Sequence, residues 1–121
     1  MRLRQHRPTV AAERWQATKN FASPDLRQRS ILSLADYHLR MGDGGKALEL
    51  YDELVRLFPA GEHALEAHLS SARIHEGNGK TRRALQAYET ALLAFPEDVR
   101  APEIRLQLDR LRQDADGGRR G

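Results

Sequence analysis

Residues 28–61, QRSILSLADYHLRMGDGGKALELYDELVRLFPAG, and residues 65–98, LEAHLSSARIHEGNGKTRRALQAYETALLAFPED, are two copies of one unit. Laid over each other at a shift of 37, they agree at 10 of 34 positions. The shared pairs include Leu32/Leu69, Ala35/Ala72, His38/His75, Gly42/Gly79, Ala47/Ala84, Tyr51/Tyr88, Phe58/Phe95 and Pro59/Pro96. The register runs on through Ala64/Ala101, Glu66/Glu103 and Arg73/Arg110, and Phe21 echoes Phe58 upstream. A fixed period of this length marks a stacked-repeat architecture, in which one supersecondary unit buries its apolar face only against the next.

Each unit reads as two helices. Ser23-Pro24-Asp25 is a helix start: a hydroxyl cap, a proline suited to the first turn and an acid at the positive end of the dipole. Ile31, Leu34, Ala35 and His38 then fall on one helical stripe, ended by Gly42-Asp43-Gly44-Gly45. Ala47, Leu48, Tyr51, Leu54, Val55 and Phe58 form the next, ended by Pro59. A third helix is predicted from about Glu62 to Glu76, broken at Gly77-Asn78-Gly79. A fourth carries Ala84, Leu85, Tyr88, Ala91, Leu92 and Phe95 up to Pro96. A fifth, from about Asp98 to Gln113, carries Ile104, Leu108 and Leu111. Short loops make consecutive helices antiparallel neighbours. Ala47 and Ala84 allow close approach, and Tyr51 and Tyr88 fill the wider gap one turn on. The expected division is a basic arm over 1–22 with one more helix from Thr9 to Asn20, units at 23–61 and 62–97, a capping helix over 98–113, and a tail, 114–121, too polar and glycine-rich to fold.

The 121 residues suit one domain. The absence of cysteine excludes a disulfide framework, thiolate zinc sites and a cysteine nucleophile. No apolar run approaches the ~20 residues that cross a bilayer. The net charge of +3 is uneven: residues 1–30 hold six Arg and Lys19 against Glu13 and Asp25, and the remainder is slightly acidic. Arg2, Arg4, Arg7, Arg14 and Lys19 would attract a nucleic acid or anionic surface. The arm has no interleaved aromatics apart from Trp15, which disfavours nucleic acid and leaves a solvated face as the simpler reading.

These residues resemble the tetratricopeptide repeat family. Its pattern of a large residue, a small residue and an aromatic, then Gly, Ala, aromatic, small and Pro, is met by Leu34, Ala35, His38, Gly42, Ala47, Tyr51, Leu54 and Pro59, and by Ser71, Ala72, His75, Gly79, Ala84, Tyr88, Ala91 and Pro96. The departures are His for the aromatic, Leu54 for a small residue, Ser71 for Leu, and a period of 37 where 34 is standard. The longer period and the FP…A.E phrase are similar to repeats of bacterial envelope lipoproteins of the outer-membrane assembly and Tol-Pal-associated type. The resemblance implies an all-α fold, helical hairpins stacked as a short right-handed solenoid, first helices lining a concave groove, and non-catalytic adaptor or scaffold work without a cofactor. With no apolar segment behind the N-terminal charges, cytoplasm is the default expectation. The envelope resemblance makes the periplasm the alternative for a processed or trimmed product.

The period then nominates a groove: Arg29, Leu32, Ser33 and Asp36 from the first unit, Glu66, Leu69, Ser70 and Arg73 from the second, and Glu103, Leu106 and Arg110 from the terminal helix. Leu32, Leu69 and Leu106 would make an apolar ladder for a protein or peptide segment. The alternatives are that these leucines pack against the neighbouring unit, or that the face joins two copies of the chain. The lysine and asparagine clamp of chaperone-binding relatives is absent, since Leu32 and Asp36 stand there. Catalytic patterns fail. Gly79-Lys80-Thr81 lacks the upstream Gly of a phosphate loop, Ile74 standing in its place. His68 and His75 lie about 10.5 Å apart along a helix, too far to share a metal. His63 has no better partner in the sequence, and Ser33, Asp36 and His38 point apart on one helix.

Overall fold

The computed structural model describes residues 23–120. Among them run five helices and no strand: α1 (Pro24–Arg40), α2 (Gly44–Leu57), α3 (Ala64–Gly77), α4 (Thr81–Ala94) and α5 (Ala101–Arg120). The basic arm over 1–22, with its Thr9–Asn20 segment, lies outside the described residues. Consecutive helices pack on each other, α1 on α2, α2 on α3, α3 on α4 and α4 on α5. The molecule is an all-α helical-repeat solenoid.

The punctuation is local chemistry, repeated. Ser23 caps α1 by accepting from the Leu26 N–H, with Pro24 in the first turn. Gly42 adopts φ +85° and Gly79 φ +74°, the left-handed conformation that glycine takes without a Cβ penalty. At these turns the Asp43 and Lys80 N–H groups return to the His38 and His75 carbonyls, each 2.8 Å. The Gly42 and Gly79 N–H groups return to Leu39 and Glu76, which completes the Schellman closure of both first helices. Asp43 then caps α2 by accepting from the Lys46 N–H. Phe58 and Phe95, each before a proline, share an extended φ of −133°, which ends both second helices.

Two clusters make the core. Ala35, Ala47, Tyr51, Leu54, Ala64, Ala67 and Ile74 form one. Leu65, Leu69, Ala72, Ala84, Tyr88, Ile104, Leu108 and Leu111 anchor the other, and Phe95 packs against both. Tyr51 is wholly buried and its hydroxyl donates to Asp36. Tyr88 donates to Glu76. The two tyrosines occupy the same place in their units, yet their acceptors differ by one helical turn, since Leu39 and not an acid stands where the first unit would match Glu76.

Two boundaries differ from the sequence reading. The junctions before α3 and α5 remain turns until Ala64 and Ala101. The Gln28 side chain, buried inside α1, explains the first: its Oε1 accepts from the His63 N–H at 3.1 Å and holds the junction as a loop. The polar tail is also corrected, because α5 continues through Arg120. Nucleation is already complete in the turns packed on α4, so each residue through Asp116 adds a backbone bond without a new nucleus, and Gly117 and Gly118 prolong the helix at about 1 kcal/mol each relative to Ala. Asp114, Ala115 and Asp116 carry nothing that breaks a helix.

The candidate concave groove

α3 and α5, a first helix and the terminal helix, flank a groove of about 510 Å³. Leu69, Ile104 and Leu106 give it an apolar side, with Tyr88 of α4 at its base. Arg73 and Glu76 edge it from α3, and Glu103, Gln107 and Arg110 from α5. Its charge is mixed: two arginines face two glutamates. Glu76 is the hub, accepting from the Tyr88 hydroxyl and from Gln107 Nε2 at 3.4 Å. Burial and the bond to Glu76 raise the Tyr88 pKa far above the ordinary phenol value.

Five of the eleven nominated residues meet here: Leu69, Arg73, Glu103, Leu106 and Arg110. The others do not. Arg29 is exposed and pairs with Asp25 at 3.2 Å. Asp36 holds the Tyr51 hydroxyl, and Glu66 pairs with Arg100 at 3.1 Å. Ser33 lies on a separate shallow face with Ser30, Leu34 and Tyr37. Ser70 is buried.

The leucine ladder is therefore corrected. Leu69 is 4% exposed and belongs to the second core cluster, Leu32 is half-buried, and Leu106 is 55% exposed. The cause is the neighbour. Leu69 shares its cluster with branched Ile104, whereas the register partner of Ile104 beside Leu32 is the smaller Ala67. Leu106 is on the terminal helix, with no described first helix beyond it to cover it. Glu76 and Gln107 were missed in the sequence, although Glu76 stands one turn after Arg73 and so shares its face.

A second cavity of about 510 Å³ lies between α2, α3 and α4, among Asp52, His68, His75 and Arg83. The His68 pKa is lowered by burial, partly offset by Asp52. The His75 pKa is lowered by burial, then by Arg83, with Asp52 opposing, and its Nδ1 has no hydrogen-bond partner among the described residues. Asp25, Glu62 and His63 bring donor atoms within 4.8 Å of one another at the junction of the units. His63 thus has a partner the sequence did not reveal, Asp25 Oδ1 at 3.3 Å, and Asp25 is shared with Arg29. These contacts tie the junction together, as does the Arg27 guanidinium 5.2 Å from the Phe58 ring centroid.

Paired helices in register define a helical-repeat scaffold. A family model described as tetratricopeptide repeat matches residues 2–62, 32–79 and 69–108, and the chain belongs to the tetratricopeptide repeat family. This repeat generally mediates protein–protein interaction and is typically non-catalytic. No curated protein and no solved structure matches the chain. No described helix is long and apolar enough to cross a membrane.

Proposed function

We propose that this protein is a non-catalytic adaptor that holds a segment of another protein in the groove between α3 and α5. The observation that carries this reading is Leu106, more than half exposed beside a groove edged by charges of both signs. One apolar anchor of the partner would cover the exposed half of Leu106, a burial worth on the order of 1 kcal/mol. Arg73 and Arg110 would take an acidic neighbour of that anchor, and Glu103 a basic one.

The test is a tagged pull-down of the full chain from the source organism's extract, at moderate and high salt. Leu106→Arg is the groove variant and Leu93→Arg, on the 83%-exposed outer side of α4, is the control. A protein retained by the unaltered chain and by Leu93→Arg but lost with Leu106→Arg supports the groove. A protein retained by all three places binding elsewhere.

A further inference from the structure

The junction between the units brings together three side chains of metal-ligand type. Asp25 stands in the first turn of α1, and Glu62 and His63 end the loop that leads into α3. One donor atom of each, two carboxylate oxygens and an imidazole nitrogen, lies within 4.8 Å of the other two. The His63 side chain is 20% exposed, so its ring is held by its surroundings, while both carboxylates reach water.

The spacing has the size of a coordination shell. Zinc holds nitrogen and carboxylate oxygen at about 2.0–2.2 Å, so two ligands of one ion stand roughly 3.0–3.5 Å apart. His63 Nε2 and Asp25 Oδ1 are 3.3 Å apart. Arg29 pairs with the other oxygen, Asp25 Oδ2, at 3.2 Å, which orients the carboxylate and leaves Oδ1 turned to the imidazole. Glu62 is exposed and in no ion pair among the described residues, so its carboxylate can swing the remaining distance. The backbone beneath is fixed in advance. Buried Gln28 accepts from the His63 N–H at 3.1 Å, and Gly61 approaches Gln28 so closely that a Cβ there would stand 2.3 Å from Oε1. The ligands therefore meet without the entropic cost of ordering a loop.

The second junction shows what the same positions do one period on. There His63 becomes Arg100 and Glu62 becomes Val99. Arg100 supplies a built-in cation that ties Glu66 of α3 at 3.1 Å to Asp98 at 3.5 Å. The first junction has an imidazole in place of that arginine and an additional carboxylate beside it, a set that takes its cation from solution. We propose that Asp25, Glu62 and His63 bind one divalent transition-metal ion of the zinc type, with water in its remaining positions, and that the ion braces α1 against the start of α3. An imidazole ligand favours such an ion over magnesium or calcium, which take oxygen. None of the three residues lines the groove between α3 and α5, so the inference is independent of the groove reading.

The test adds Zn²⁺ to the full chain, free of any purification tag and stripped with a chelator, and follows it by titration calorimetry and thermal melts. One ion per chain is expected, with a melting midpoint that rises with Zn²⁺ because the ligands meet only in the folded chain. Mg²⁺ at the same concentrations should not raise it. His63→Ala keeps the backbone N–H that bonds Gln28, and should weaken Zn²⁺ binding at least about tenfold and remove the rise in midpoint. Glu62→Gln alters an exposed side chain, so it leaves the fold intact and should weaken binding as well, which keeps the test decisive if His63→Ala disturbs the loop. His75→Gln, in the cavity between α2, α3 and α4, should bind like the unaltered chain. Binding that survives either His63→Ala or Glu62→Gln, or that is lost with His75→Gln, would make the ion adventitious and overturn the proposal. So would an unaltered chain whose midpoint Zn²⁺ does not move.

Discussion

At the residue scale the two repeat tyrosines carry more than volume. Tyr51 is held by burial first and then by its bond to Asp36, which together push its pKa up to about 12, with Ser70 pulling the other way. Removing the hydroxyl in Tyr51→Phe strands the Asp36 carboxylate and should cost about 1.5 kcal/mol by chemical denaturation. Tyr51→Ala also opens a cavity and should cost roughly 3–5 kcal/mol. The raised pKa has a sign. Below the unfolded value of 10.0 the full contribution is present, and it is lost as pH rises from there towards about 12. Tyr51→Phe should therefore show a shallower loss of stability in alkali. His68 and His75 act at the other end. Their lowered pKa values favour the neutral ring, so their contribution is complete above 6.5 and is lost as pH falls below it. Thermal melts near neutrality and near pH 5 should show that loss, and His68→Leu should reduce it.

At the element scale the turns decide where helices stop. Gly42→Ala and Gly79→Ala force a Cβ into the left-handed region, with open space around both positions. Each should cost about 1–2 kcal/mol from backbone strain alone. Gly61 is different. A Cβ there would stand 2.3 Å from Gln28 Oε1, the acceptor of the His63 N–H. Gly61→Ala must displace a buried carboxamide and should lower the denaturation midpoint by an amount close to that of Gln28→Ala, with the double variant adding little, because both remove one contact. These glycines show how unequal local signals are. The Gly42 and Gly79 turns were legible because the conformational demand is their own. The role of Gly61 was not, because the atom it avoids lies 33 positions away in the chain.

At the scale of the whole molecule, exposure along the leucine row is set by the helix that packs next to each first helix. Leu69→Arg would place a cation in the second core cluster and should abolish the cooperative melt, whereas Leu106→Arg should leave circular dichroism and melting nearly unchanged. Period, helix type, turn positions and the pairing of helices within units were all readable from residues 28–98, since they stem from intrinsic backbone preferences and a 37-residue register. The polar tail was misread for a related reason: composition speaks for an isolated segment, while helix propagation depends on the packed turns before it. The groove was only half legible. A helical period places Leu32, Leu69 and Leu106 on equivalent faces, and that much the sequence by itself determined. Which of them water reaches depends on the side chain that the next helix places beside it. That neighbour lies far away in the chain, so only the tertiary structure decided it.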